Sequence, residues 1–184
     1  MSAVVYWRRT DVEGLERLEL TTGPGGVTAS GTVVCLEDGG FRLDHTWSLD
    51  ADWRALRVEV AVRGAHVHGA LRLERAGDSW LVDGVPRPDL DGAQEPDLSV
   101  TPFCNTFPIR RMRADEDLTL DTAFIDGPAL TVARSRQRYE PLGPGRVRYV
   151  DLGLSQGFEA DLTVDDAGLV VRYEHLFERV EPAR

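Results

Sequence analysis

The sequence predicts an all-β fold, a many-stranded antiparallel sheet of hairpins with one short helix. Three observations carry that expectation. Apolar and polar residues alternate through most of the chain, the period of a half-buried strand. Clusters such as Glu37-Asp38-Gly39-Gly40, Ala76-Gly77-Asp78, Leu142-Gly143-Pro144-Gly145 and Asp165-Asp166-Ala167-Gly168 separate the alternating runs. Each cluster offers a residue that tolerates positive φ, as tight turns require. Finally, a single short window keeps apolar residues at i, i+3, i+4 and i+7.

The elements follow in chain order. Thr10-Asp11-Val12-Glu13 has the pattern of a capping box, but Gly14 follows at once and Leu18 and Leu20 alternate, so a strand is expected there. Phe41 to Leu49 (FRLDHTWSL) puts Phe41, Leu43, Trp47 and Leu49 on one face. Leu56 to Val62 repeats the pattern on even positions. Further strands are expected at Val67 to Glu74, Leu118 to Ile125, Leu130 to Tyr139, Arg146 to Val150, Phe158 to Val164 and Leu169 to Phe177. The proline-rich polar stretch Val85 to Pro96 (VPRPDLDGAQEP) reads as ordered loop. Val100, Phe103, Cys104 and Phe107 form the helical window, with Thr101 as N-cap and Pro102 at the first helical position. Pro108 has no N–H to donate, so the helix is expected over residues 101–107 and should end or kink at Pro108. No linker or repeat divides the chain. Residues 1–184 are therefore expected to form one domain, a continuous sheet system around a single central helix.

Composition narrows the function classes. With 21 basic and 31 acidic residues the formal charge is −10, and every Lys or Arg position is Arg. Nucleic acid and anionic membrane need a cationic face, so neither is an expected partner. No run approaches the apolar length of a transmembrane segment, and the opening MSAVVYWRR has no secretory signal pattern. A cytoplasmic protein is expected. Cys35 and Cys104 show no CxxC spacing and read as free buried thiols. His66 and His68 are spaced to share one face of a strand, but a metal site needs a third ligand. They read as part of a polar face, and no metal or cofactor is expected. His45 and His175 fall at otherwise apolar positions and read as hydrogen-bonded core histidines. Nucleophile-elbow, phosphate-loop and dinucleotide motifs are absent, so no catalytic residue is assigned.

The least generic stretch is Thr101 to Arg111 (TPFCNTFPIRR), where an apolar helix leads straight into two arginines. Preceded by Pro88 to Leu98 (PDLDGAQEPDL), it resembles the bacterial family labelled putative glycolipid-binding. Other pieces agree in order: Trp7 with Gly14 and Glu16, Asp50-x-x-Trp53-x-x-x-Arg57, Trp80 with Asp83-Gly84, Gln137-x-Tyr139, the stretch from Phe158 to Asp161, and the run from Gly168 to Tyr173. The sequence departs from the family pattern at Ala93 for Cys, Glu95 for Asp, Cys104 for Thr and Phe124 for Trp. The resemblance spans essentially the whole chain. It implies a spiral β-roll, a sheet wrapped around one helix, and a fold that binds a lipid or glycolipid-like small molecule.

For such a binder, Trp7, Trp53 and Trp80 would supply flat apolar faces, while Arg57, Asn105, Arg110 and Arg111 would supply donors. Trp7, Glu16, Trp80, Asn105 and the exposed arginine of the pair are expected to converge on one site. The other arginine is expected to meet a carboxylate from Glu16, Glu95 or Asp97. Two other readings stand beside this one. The first is an enzyme that uses Glu16, Glu95 or Asp97 beside the arginine pair as acid or base. The second is a structural protein that forms a homodimer.

Overall fold

In a computed structural model, residues 2–182 are described; Met1, Ala183 and Arg184 of the expected 1–184 unit lie outside the described residues. Fifteen strands form one open sheet in the order β8-β7-β6-β5-β4-β3-β2-β1-β15-β14-β13-β12-β11-β10-β9. The first part comprises β1 (Ser2–Arg9), β2 (Gly14–Gly23), β3 (Gly26–Cys35), β4 (Phe41–Leu49), β5 (Ala55–Gly64), β6 (His68–Ala76), β7 (Ser79–Val82) and β8 (Val85–Pro86). The second comprises β9 (Glu95–Leu98), β10 (Leu118–Asp126), β11 (Thr131–Gly143), β12 (Arg146–Asp151), β13 (Glu159–Val164), β14 (Val170–Tyr173) and β15 (Phe177–Val180). Two meanders thus run outward from the central β1/β15 pair, where Tyr6 lies opposite Val180. Every neighbouring pair is antiparallel except β9 with β10, which makes the sheet mixed.

After β8, at one edge of the sheet, the chain turns inward and adds β9 to the opposite edge. The curl of the sheet makes that step short. The Ala55 N–H at the start of β5 donates to Glu95 of β9 over 2.9 Å, and Trp80 of β7 donates its indole N–H to the Ala93 carbonyl over 2.9 Å. One edge is therefore rolled inside the other, and the helix that follows β9 lies in the interior. Strand alternation explains the wall. In β4, Phe41, Leu43, His45, Trp47 and Leu49 face inward and are all buried, whereas Arg42, Thr46 and Ser48 are exposed. Around the helix, Trp47, Phe103 and Phe107 pack edge to face with ring centroids 5.1 to 5.9 Å apart, an arrangement that favours ring edges against ring faces.

Four sequence expectations are corrected. The helix does not stop at Pro108: a 3₁₀ turn at Phe103–Asn105 leads into α1 (Thr106–Arg111). Pro108 is the third residue of α1, inside the first turn, where helix N–H groups have no intrahelical acceptor and a missing one costs little. Val85 to Pro96 is not all loop, since it holds β8 and the first half of β9. The expected strand Leu169 to Phe177 is split into β14 and β15 by a turn at residues 174–176. His175 sits in that turn at φ 70 and is exposed, so it is not a core histidine.

Candidate functional site

Four carboxylates, Glu16, Glu95, Asp97 and Asp151, enter the interior, and their surroundings differ. Glu16 on β2 accepts from the Thr101 hydroxyl at 2.8 Å and lies 3.0 Å from His45 Nε2. The Trp47 indole N–H, which can only donate, points at His45 Nδ1 over 2.8 Å. Nδ1 is thus the acceptor, and the ring's proton is on Nε2, aimed at Glu16. The ring fits only because Gly31 faces it across β3 and β4: a Cβ there would lie 2.3 Å from the imidazole.

Glu95 is neutralised by arginine. Arg111 of α1 donates to its Oε1 over 2.6 Å, and Arg75 lies 3.7 Å from Oε2. Burial pushes the Glu95 carboxyl above its ordinary value, and the two guanidinium groups oppose that rise. Arg75 also stacks on Trp80 at 4.4 Å and donates to the Ala55 and Gln94 carbonyls.

Asp97, next but one along β9, meets no cation among the described residues. Its oxygens accept from the Cys104 thiol over 2.9 Å and from the Gln137 amide. Burial, with a contribution from the Asp151 charge, pushes its carboxyl above its ordinary value. Burial together with the Asp97 charge pushes the Cys104 thiol well up, so the sulfur keeps its proton and donates.

Asp97 lines a cavity of about 260 Å³ inside the second half of the roll. Register builds the polar wall: on β11 and β12, Gln137 lies opposite Asp151 and Tyr139 opposite Tyr149. Directly opposed residues share a face. Asp151 accepts from Tyr149 over 3.2 Å and from the Gly153 and Ser155 N–H groups over 2.8 and 3.1 Å. Asn105 reaches the cavity from the helix side. The Tyr139 hydroxyl is 2.9 Å from Asn105 Oδ1 and 3.2 Å from Gln137 Oε1. One hydroxyl proton cannot fully satisfy both acceptors, so one carbonyl oxygen has no full donor among the described residues. The other wall is aromatic: Tyr149, Phe158, Tyr173 and Phe177 form a chain of rings with centroids 5.8 to 6.4 Å apart. Ser155 is exposed and also lines the cavity, which places an opening at the β12 to β13 loop.

The residues singled out from the sequence do not gather here. Asn105 alone of the seven lines this cavity. Trp7 is fully buried and donates to the Val170 carbonyl over 2.8 Å; Trp80, also fully buried, is likewise bonded to backbone. Glu16 belongs to the His45 cluster and Arg57 to the outer face of β5, paired with Glu59 and Glu74. The arginine pair divides. Arg111 meets Glu95, whereas Arg110 donates to the Ala167 carbonyl over 2.6 Å and stacks on Trp53 at 4.4 Å. Both arginines lie in the last turn of α1, from which their side chains diverge. Cavity residues that the sequence did not assign to the site include Asp151, Tyr149, Tyr173 and Phe158. Their signal is a polar or amphipathic residue in the inward phase of a strand: Asp151 continues the phase of Val147 and Tyr149. His66 lies in the turn before β6 and His68 opens that strand, both exposed.

A sequence model of the family described as putative glycolipid-binding matches residues 4–179. The chain belongs to this family. A solved member of the same fold, a DUF1089 family protein from Pseudomonas aeruginosa, is 30% identical over 90% of this chain and 92% of that chain, with a TM-score of 0.79. No curated protein matches the sequence. Among the described residues, no helix is long and apolar enough to cross a membrane.

Proposed function

We propose that this protein binds the polar headgroup of an amphiphile, of the glycolipid kind that the family description names, in the cavity between Asp97, Asn105, Asp151 and the Tyr149 to Phe177 rings. The observation that supports it most is the division of one open-mouthed cavity into a hydrogen-bonding wall and an aromatic wall. Sugar rings are recognised in that way, through hydroxyls on one side and flat C–H faces on the other. Size limits the guest. Pockets for whole drug-sized ligands run from roughly 300 to 1,000 Å³, so about 260 Å³ takes a headgroup and leaves the acyl chain outside. Leu154, exposed beside Ser155 at the opening, offers that chain a first contact.

Native mass spectrometry of protein purified without detergent should find a retained amphiphile mass. Calorimetry with octyl glycosides below their micelle concentration should give saturable heat, weakened about tenfold by Asn105→Ala. No retained mass, together with no saturable heat from either a neutral or an amino glycoside, would overturn the reading.

A further inference from the structure

Resting on that reading, we infer that the bound headgroup carries a protonated amine, held between Asp97 and Asp151 against the aromatic wall. The charge balance of the cavity is the starting point. Asp97 and Asp151 both line it, and among the described residues neither makes an ion pair, nor does any Arg or His line it. Asp151 is only 7% exposed. A carboxylate taken out of water is costly to leave without a cation. At Glu95, on the same strand as Asp97, the problem is solved internally by two arginines. Here the chain supplies none.

Hydrogen-bond capacity points the same way. The two carboxylates keep free lone pairs, and one oxygen of the Asn105 and Gln137 pair lacks a full donor among the described residues. The side-chain hydroxyl of Tyr173, a residue 6% exposed and lining the cavity, has no hydrogen-bond partner among the described residues. The lining thus combines two carboxylates with neutral hydroxyl and amide groups and holds no cationic side chain among the described residues. An ammonium group is the complementary guest, with N–H donors and no acceptor. The rings complete the match, because a cation within about 6 Å of a ring centroid is attracted to the face of the ring. Phe124, Tyr149, Phe158, Tyr173 and Phe177 all border the space. A phosphate or sulfate headgroup would meet two carboxylates and no cation, so anionic amphiphiles are excluded by the same balance.

The test compares amphiphiles with one octyl chain and four headgroups: neutral glucoside, 2-amino-2-deoxyglucoside, bare ammonium and sulfate. Calorimetry at pH 7 should rank the amino glycoside at least tenfold tighter than the neutral glucoside, with the sulfate silent. Raising the salt concentration should weaken the amino glycoside and leave the neutral one unchanged. Asp97→Asn and Asp151→Asn should each remove most of the preference. Asp78→Asn, in the exposed β6 to β7 turn, should keep it, which separates the cavity from the general acidity of the surface. The wild-type headgroup and salt series needs no variant to fold. The bare ammonium arm compares a sugar-borne amine with a simple alkylamine, and tight binding of either supports the inference. Equal affinity for neutral and amino glycosides, insensitive to salt, would overturn the amine while leaving amphiphile binding intact. No binding by any of the four, together with no retained amphiphile mass, overturns both.

Discussion

Glu95 and Asp97 are two carboxylates on one four-residue strand, yet the fold treats them oppositely. Glu95 faces the first part of the roll, where Arg111 and Arg75 neutralise it and the β5 backbone donates to it. Asp97 faces the second, where a thiol and an amide are its donors and open volume lies beyond. A buried charge whose partner comes from the same chain ties elements together, here α1 and β5 to β9. A buried charge without one is a cost the fold carries, and it belongs where a ligand can offset it.

The comparison can be broken most sharply at Arg111. Arg111→Ala leaves Glu95 nearly fully buried with one distant guanidinium, and removing a partner from a buried pair costs about 3–5 kcal/mol. Urea unfolding at pH 7.5 should read a loss in that range. The loss should shrink toward pH 5, because without Arg111 the Glu95 carboxyl moves further up and takes a proton, which relieves the uncompensated charge. A loss that does not change with pH would mean that Arg111 acts by packing alone.

A second, smaller effect is expected on the Asp97 side. Gln137→Leu removes the amide that donates to Asp97 and accepts from Tyr139. Leaving buried polar groups unsatisfied costs about 1–3 kcal/mol. Asp97 can escape part of that cost by protonation, so the loss should be smaller at pH 5 than at pH 7.5. It should stay below that of Arg111→Ala at both pH values.

How far this contrast was legible in the sequence depends on what set each feature. The wall strands were readable because water lies on one side of them: Phe41 to Leu49 alternates, and it is β4 residue for residue. β9 was not, because Glu95, Pro96 and Leu98 are all buried and the strand therefore has no alternation. Its place beside β10 follows from the closing of the roll, a tertiary event with no local signal. The turn at Glu174-His175-Leu176 was hidden by the lack of Gly or Pro, since His175 takes up positive φ itself. Within the site, Asn105 and Asp97 could be named from the helix phase and the acidic run. The pairing of Arg111 with Glu95 was foreseen as one of three carboxylate choices. Asp151 could not be placed, because its role depends on lying opposite Gln137, and that register exists only once β11 and β12 pair. Trp7 and Trp80 suggest ligand faces by composition, but both indole N–H groups go to backbone carbonyls.

The smallest expected effect on stability, and the most telling in sign, is that of Asp97→Asn. The folded Asp97 carboxyl titrates above its ordinary value, chiefly through burial. Between the unfolded value of about 3.9 and that raised value, the folded state binds more protons than the unfolded one. The contribution of Asp97 to stability should therefore fall as pH rises through this window and stay lowered above it. The groups facing Asp97 are Cys104 from the helical turn, Gln137 and Tyr139 from β11, Tyr149 and Asp151 from β12, and Tyr173 from β14. Burial holds the thiol and the three tyrosines in their neutral forms, so they do not contribute to the Asp97 step. Asn keeps the shape and an acceptor for Gln137 but carries no charge. Asp97→Asn should match or exceed wild-type stability at pH 7.5, by up to about 1 kcal/mol. At pH 4 the two should converge. Urea midpoints across that range measure both. A clear loss of stability at neutral pH would mean that the Asp97 charge is compensated within the fold after all, and Asp97 would then stand with Glu95 as a tie between elements.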